Sequence, residues 1–302
     1  MYKDLKYYDM TKFTPKFIAQ VRQKRQLKNV PTEYDCRGAA SVTVPIMHGG
    51  QATKHAYATR IPSFGGGVKK AVITTEEWDA ADYLDYFLLD KNNFSYETVV
   101  EKTLIPDAVC QRMDQTILDA LKAAEHLPNI DDPSADPLAL FSDIKAMMDS
   151  QQLYIPEKDR CLIIPAAAQP EFFTNDKMMS NDYVQLQLNN ISEGKIGRLL
   201  GYELIFLNDI KGGGLEYKIT SGGAKKRWTC YATSKVSIGH ALGYGANRTE
   251  DGTGGIFKVQ ELANEGGFFI NAPFCSGAKV LIPEGIVRFS LETKNYSTKI
   301  GG

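Results

Sequence analysis

Residues 41–127 contain the feature that most constrains the fold: an extended, glycine-tipped arm followed by a very long helix. The arm leaves as Ser41–Met47 and returns as Val68–Thr74, with Gly49-Gly50 and Gly65-Gly66-Gly67 between the two strands. Two facing runs rich in β-branched residues predict a β-hairpin. A projecting arm and a long rod are poor components of a pocket enzyme, and they suit a protein that acts against other copies of itself.

The helix is predicted to run from about Ser95, its N-cap, to Leu127. Thirty-odd residues at a rise of about 1.5 Å each would form a rod of about 48 Å. Pro106 lies inside it and removes one backbone hydrogen bond, so the rod either bends there or consists of two helices that meet near Pro106. Apolar residues recur at four-residue steps, as is typical of an amphipathic helix: Ile105, Val109, Met113, Ile117 and Leu121.

The composition is that of a globular protein, with 302 residues, 43% of them hydrophobic and 24% charged. A net charge of −1 excludes a protein dominated by nucleic-acid binding. No apolar run approaches the roughly 18 residues of a membrane-spanning helix, and we expect no membrane partner. The cysteines are odd in number and form no CxxC, which predicts reduced thiols in a cytosolic product: Cys36, Cys110, Cys161, Cys230 and Cys275.

Residues 1–30 form a basic N-terminal arm, with a short helix predicted from Thr14-Pro15 to about Lys28. The arm either contacts acidic partners or nucleic acid, or is a solvated tail. Its cationic residues are Lys3, Lys6, Lys12, Lys16, Arg22, Lys24, Arg25 and Lys28.

The second half of the chain alternates helix and strand after a linker at 128–137, a pattern that indicates layered helices and sheet. A hairpin is predicted around Ser221-Gly222-Gly223. The predicted helices are Leu138–Gln152 and Gln169–Phe173, and the predicted strands are Cys161–Ile164, Tyr202–Leu207, Leu215–Thr220, Trp228–Ile238, Ile256–Glu265 and Lys279–Leu291.

A search for catalytic, cofactor-binding or metal-binding residues identifies none. The histidines show no short metal-binding spacing, and they are His48, His55, His126 and His240. The clusters Gly65–Lys69 and Gly212–Glu216 do not fit a phosphate-binding loop and are interpreted as flexible turns.

Two charged clusters could each be either a functional site or an ordinary solvated surface. Glu76, Glu77 and Asp79, with Asp82 and Asp85, could supply paired carboxylates, but they have no second acidic cluster to work with, so a solvated or salt-bridged face is favoured. Lys225–Trp228 combines cations with an aromatic ring, as nucleic-acid sites do, but four residues are a weak signal and a solvated hairpin is favoured.

The order of these elements resembles the major capsid proteins of tailed bacteriophages (Caudovirales), the Hong Kong 97-like fold, and is closest in appearance to those of short-tailed podophages. The similarity covers about residues 14–291. Its motifs are degenerate individually and gain weight from their order: the arm at Val42–Met47 and Val72–Thr75, the segment Trp78–Leu84, the spine helix with Asp107, Met113-Asp114 and Ile117-Leu118, the strand Asp159–Pro165 after Pro156, and Gly194–Leu204 with its G-x-x-G-x-x-x-G-aromatic spacing.

The resemblance implies an α+β fold with an N-terminal arm, an extended loop, a peripheral domain with a long spine helix, and an axial domain. The expected bounds are 1–30 for the arm, 45–74 for the loop (a β-hairpin), 31–130 with 262–302 for the peripheral domain and 131–261 for the axial domain.

The resemblance also implies a structural protein and no enzyme: a subunit that assembles in the bacterial cytoplasm as pentamers and hexamers of an icosahedral virion capsid around double-stranded DNA. A portal protein, a decoration protein and a scaffolding protein are the further partners, the last a separate protein because no long segment precedes the arm. Lys54, Lys69 and Lys70 lie in or near the loop, but no residue identifies an acceptor for covalent cross-linking. The alternatives are an encapsulin-like nanocompartment shell and a soluble α+β enzyme or binding module that uses the acidic cluster near Trp78.

Overall fold

The structure is a computed structural model, and it describes residues 25–48, 67–85, 105–131, 136–151, 155–170, 198–208, 214–220, 224–243, 258–262 and 267–294. The predictions for the N-terminal arm up to residue 24, the tip of the hairpin at 49–66 and the first part of the long helix at 86–104 therefore lie outside the described residues.

The chain divides into two compact units. The smaller unit comprises residues 1–25, 77–112 and 244–275, and the larger comprises 26–76, 113–243 and 276–302. The capsid-like domain bounds expected from the sequence remain a prediction.

A mixed sheet forms the centre of the larger unit. In the described residues its strand order is β5-β14-β10-β6-β8-β7, and β9 pairs with the first half of β10. The members of this sheet are β5 (Asn129–Ile130), β6 (Arg160–Pro165), β7 (Arg198–Leu199), β8 (Tyr202–Leu207), β9 (Tyr217–Thr220), β10 (Lys225–Ser234) and β14 (Ile286–Lys294).

Both described helices contribute to one core with this sheet. Helix α1 (Ile105–Ala123) supplies Ile117, Leu118 and Leu121 from its part in the larger unit, and helix α2 (Pro137–Asp149) supplies four buried residues. The β6 strand is buried at every position, as expected for a central strand with both faces covered. The core residues of α2 are Leu140, Phe141, Ile144 and Met148.

A second set of strands in the larger unit holds the base of the arm. Strand β1 (Thr32–Asp35) runs parallel to β11 (Ile238–Leu242), and β11 runs antiparallel to residues 276–280 of β13 (Gly267–Val280). The arm itself is a separate two-stranded sheet of β2 (Ser41–His48) and β3 (Gly67–Thr74).

In the smaller unit, strand β12 (Lys258–Leu262) forms an antiparallel hairpin with the first five residues of β13. Strand β4 (Glu76–Asp85) pairs with β13 as well. Alternate residues of β13 are buried, the period of a strand with one covered face: Ile270, Ala272 and Phe274.

The carboxylate of Asp114 on α1 anchors the segment that leads out of the N-terminal arm. It accepts hydrogen bonds from the backbone N–H of Gln26 at 2.8 Å and of Leu27 at 3.3 Å. The Leu27 side chain is then fully buried in the core, and Val30 follows it after a turn. The predicted helix to Lys28 is therefore wrong at its end: residues 25–31 are not helical, and Gln26 and Leu27 donate their backbone N–H groups to the Asp114 side chain.

We expect Asp114→Ala to lower the free energy of unfolding by about 1.5–3 kcal/mol, because one buried and one partly buried backbone donor lose a charged acceptor. Amide hydrogen exchange at residues 26–30 should accelerate in the same variant. Asp143→Ala, on the exposed face of α2, is the matched control and should stay within about 0.5 kcal/mol of the wild type in urea unfolding. Equal losses in the two variants would contradict an anchoring role.

The helix ends differ from the predictions for local reasons. Helix α1 ends at Ala123 and not at Leu127, because His126 adopts a left-handed φ of 60° and Arg288 donates from Nη2 to the Ala124 carbonyl at 3.3 Å. Helix α2 begins at Pro137, with Asp136 as N-cap, and ends at Asp149 rather than Gln152. Pro106 lies in the first described turn of α1, so whether the rod bends there remains a prediction.

The strand predictions were right in position and wrong in several lengths. The predicted strand 228–238 is two strands, since a 3-10 turn at Lys235–Ser237 separates β10 from β11. The predicted strand 279–291 is the end of β13 and most of β14, divided at Pro283. Residues 129–130, predicted as linker, pair with β14. Strand β9 starts two residues later than predicted, and Ala166–Ala168 form a 3-10 turn ahead of the predicted helix at 169–173, of which residues from 171 onward are not described.

Candidate assembly surfaces

The arm is an antiparallel hairpin of the two strands that the sequence predicted. Ser41 pairs with Thr74, and the ladder continues without a bulge to His48 opposite Gly67. Directly paired residues share a face of the hairpin, so one face carries Val42, Val44, Ile73 and Ala71. Of these, Val44 and Ile73 are buried, and they form a small core with Cys36 and Ala241.

Two glycines make room for the base of the hairpin. A Cβ on Gly239 would lie 2.5 Å from Cδ1 of Ile73, and one on Gly277 would collide with the Thr74 carbonyl oxygen and lie 2.9 Å from the Thr75 Cα. Lys279 adds a hydrogen bond from Nζ to the Val72 carbonyl at 3.1 Å. This close packing was not predicted from the sequence. The available signal was that Gly239 and Gly277 interrupt strands, where glycine often marks a close approach of another backbone.

One hydrogen bond fixes which backbone groups of the hairpin point outwards. The N–H of Thr75 donates to the Ala40 carbonyl at 3.0 Å, so residues 40 and 75 are a hydrogen-bonded pair and the next pair, 41 and 74, is not. Alternation along the ladder makes the pairs 43–72, 45–70 and 47–68 non-hydrogen-bonded as well, with their N–H and C=O groups directed away from the partner strand. Two observations agree with this alternation. Pro45 has no N–H to donate to β3, and the Val72 carbonyl points outwards, where Lys279 binds it.

The outward face of the hairpin exposes large apolar side chains. Met47 is 79% exposed, its cross-strand partner Val68 58% and Val72 42%. Lys69 and Lys70 are exposed on opposite faces of β3. A long two-stranded ribbon is marginal alone, so a face of this kind indicates contact with another surface.

Strands β9 and β10 pair in antiparallel fashion, which confirms the hairpin predicted around residues 221–223. This hairpin carries a second pair of exposed apolar side chains. Tyr217 and Ile219 are exposed, and the Tyr217 ring lies 4.7 Å from the ring of buried Trp228. Trp228 is only 2% exposed, and its indole N–H donates to Thr293 Oγ1 at 2.9 Å, so the ring is not accessible for stacking on a nucleobase.

The basic residues at the start of β10 are already partnered. Lys225 pairs with Glu292 at 3.0 Å, Lys226 lies over the Tyr217 ring, and Arg227 pairs with Asp131. Hydrogen bonds from Ser290 and from Arg227 hold the pKa of Asp131 below its usual range. This arrangement leaves little free positive charge for a nucleic acid at Lys225–Trp228.

The acidic residues near Trp78 do not converge on a site. They lie on strand β4, where successive side chains point to opposite faces, so Glu77 and Asp79 are separated from Glu76 and Asp82. Trp78 is covered by the Arg112 guanidinium, whose carbon lies 3.6 Å from the ring centroid. The enzyme interpretation of this cluster is therefore not favoured.

The histidines occupy unrelated places. His240 is fully buried in β11 and hydrogen-bonds Ser276 Oγ at 2.9 Å, while His126 is exposed beside Glu125. His48 ends strand β2, and His55 lies outside the described residues. Within the described ranges no three His, Cys, Asp or Glu side chains are grouped as metal ligands would be, and no helix has the length and apolar character needed to span a bilayer.

The remaining predicted motifs have structural roles. Arg160, at the start of β6, is nearly buried and contacts the Asp149 carboxylate at 2.6 Å and the Ile155 carbonyl at 2.8 Å. Burial raises the pKa of Tyr202, whose hydroxyl lies 3.1 Å from Met148 Sδ, to about 12. Gly214 has a φ of +88° and donates to Gln115 Oε1 at 2.8 Å, as a turn residue would. Cys36, Cys110, Cys161 and Cys230 are buried, and Cys275 is partly buried.

Comparisons with known proteins connect this architecture to phage capsids. No protein-family model matches the sequence, and neither does any curated protein. A chain of the capsid structure of the cyanophage P-SCSP1u is 13% identical, with a TM-score of 0.67 over 95% of this chain and 94% of that chain. A chain of the acidic stable capsid of Helicobacter pylori bacteriophage KHP30 is 8% identical, with a TM-score of 0.67 over 94% of each chain. This chain has the fold of phage capsid proteins.

The mature capsid of bacteriophage PhiM1 shows the same likeness, with 8% identity and a TM-score of 0.63 over 93% of this chain and 91% of that chain. The match extends over nearly the full length on both sides, so the fold as a whole is shared. The resemblance to tailed-phage capsid proteins that the sequence indicated is confirmed at the level of the fold, and so is its α+β class. A special closeness to podophages remains a prediction.

Proposed function

We propose that the chain is the major capsid subunit of a tailed bacteriophage, a structural protein without enzymatic activity that self-assembles into an icosahedral shell around double-stranded DNA. The observation that carries this proposal is the arm: a hairpin fixed at its base, apolar on its outward face, within a fold shared with phage capsid proteins. A shell subunit needs such a projecting element, because many copies must make the same few contacts with their neighbours.

The finer features of the proposal follow the capsid fold. Residues 31–130 and 262–302 would form the peripheral domain, 131–261 the axial domain around five-fold and six-fold centres, and 45–74 the loop over a neighbouring subunit. Scaffolding and portal proteins, and possible decoration proteins, would be the partners in a virion assembled in the host cytoplasm. The basic residues of 1–30 would face the interior, near genome or scaffold.

We expect the purified chain, expressed with and without its candidate scaffolding protein, to sediment as capsomers or megadalton particles. Electron cryomicroscopy of precursor and mature particles should place residues 1–30 inside and show a change in the helix angle near Pro106. A stable monomer under all conditions would contradict the proposal. Particles that contain a packaged protein and no nuclease-protected DNA would instead support the nanocompartment alternative.

A further inference from the structure

Strand β3 of the arm has a short free edge. The outward carbonyl of Thr74 faces Gly277 and that of Val72 binds Lys279, so the base of this edge is covered. Beyond the base, Val68 and Lys70 direct their N–H and C=O groups outwards, and the only strand paired with β3 in the described part of the chain is β2. The opposite edge of the hairpin is interrupted by Pro45, which removes one donor from its middle.

The side chains beside this free edge determine which properties a partner strand must have. Lys69 and Lys70 put positive charge on both faces, and β3 contains no acidic residue. Val68 and Val72 add exposed apolar surface on the outward face. A complementary strand must therefore be extended, must carry carboxylates on both faces, and must have an unpaired edge of its own.

Strand β4 has these properties. Its sequence EEWDAADYLD contains acidic residues on both faces and no basic residue, and Glu76, Glu77 and Asp79 are exposed. In the described residues its strand partner is β13, which occupies one of its two edges. Strand β10 is also basic but differs from β3, because its Lys225 and Arg227 are already paired with Glu292 and Asp131.

We propose that the free edge of β3 at Val68–Lys70 pairs with strand β4 of a second copy of this chain, with Lys69 and Lys70 facing its carboxylates. This pairing rests on the proposed function, because it requires that copies assemble. The two strands are different surfaces, so the contact is heterologous: each subunit offers its arm to one neighbour and its β4 to another. Contacts of this type propagate into rings and closed shells rather than stopping at a dimer.

Charge reversal tests which strand is the partner. We expect the variants K69E/K70E and E76K/E77K, each of which reverses one charge on either face of its strand, to reduce the assembled fraction in sedimentation velocity at least tenfold, because like charges then face each other. The quadruple variant, in which both sides are reversed, should recover the assembled fraction to within twofold of the wild type. K158E/K235E changes two other exposed lysines by the same net charge and should assemble normally.

A proline substitution tests the edge itself. Val68→Pro removes an N–H that points away from β2, so the hairpin ladder keeps its bonds while the added strand loses one. We expect Val68→Pro to lose assembly with unchanged circular dichroism, and Val68→Ala, which retains the N–H, to assemble.

The outcomes separate this pairing from the proposed function. A wild-type chain that stays monomeric would refute the proposed function. Normal assembly of K69E/K70E would refute the pairing with β4 and leave the proposed function standing, and so would a quadruple variant as defective as K69E/K70E. Assembly of Val68→Pro would refute pairing through the edge.

Discussion

Replacing Gly277 by alanine is expected to lower the free energy of unfolding by about 3 kcal/mol, at the upper end of what overpacking costs. The added Cβ would collide with the Thr74 carbonyl oxygen and approach the Thr75 Cα at 2.9 Å. These are backbone atoms at the end of β3, so no side-chain rotation can relieve the clash. The base of the arm must lift from the sheet, and Ile73 must leave its buried position beside Gly239.

Gly67→Ala is the matched control, because Gly67 lies in a strand, as Gly277 does, and a Cβ on it meets nothing within 4 Å. The free energies of unfolding of the two variants in urea should separate the loss of close packing at the base of the arm from the general effect of replacing glycine in a strand. Hydrogen exchange should accelerate at residues 72–75 in Gly277→Ala alone. A Gly277→Ala variant as stable as the wild type would show that the arm is not held at its base as described.

The arm illustrates what the sequence was able to predict. Its strands are marked by β-branched residues and its ends by glycines, and these local signals predict the hairpin. The α1 stripe is equally local, since a period of four residues is visible without knowledge of any neighbour. Met113, Ile117 and Leu121 are fully buried, as that period predicts.

The packing at the base of the arm could not be predicted in the same way. It depends on Gly239 and Gly277, which lie on neighbouring strands and approach residues 73–75 from about 165 to 200 positions along the chain. The end of α1 is a similar case, because Arg288 binds the Ala124 carbonyl from a distant strand. Such contacts exist only once the fold has formed.

Strand β13 was missed over all but its last two residues for a different reason. Pro273 lies inside it, and proline within an apolar run ordinarily argues against a strand. The alternation of Ile270, Ala272 and Phe274 towards the buried side was the signal that could have outweighed the proline. The sequence also could not show which backbone groups of β3 point away from β2, since this follows from the hydrogen bond between Thr75 and Ala40.

Phe289→Ala is expected to have the largest effect in the core, a loss of about 3–5 kcal/mol. Phe289 is fully buried in β14, opposite Cys230 of β10 on one side and Ile130 of β5 on the other. Its ring meets that of Phe141 on α2 edge to face, with the centroids 6.1 Å apart. Truncation therefore removes the ring on which α2 rests and leaves a cavity between helix and sheet.

Two further variants separate these contributions. Phe289→Leu retains most of the volume and should cost only about 1 kcal/mol in urea unfolding. A double-mutant cycle with Phe141→Ala should give a coupling of about 0.5–1.5 kcal/mol for the aromatic pair. Additive losses in that cycle would mean that the two rings stabilise the sheet and the helix independently. A measurable coupling would mean that the edge-to-face contact itself holds α2 against β14.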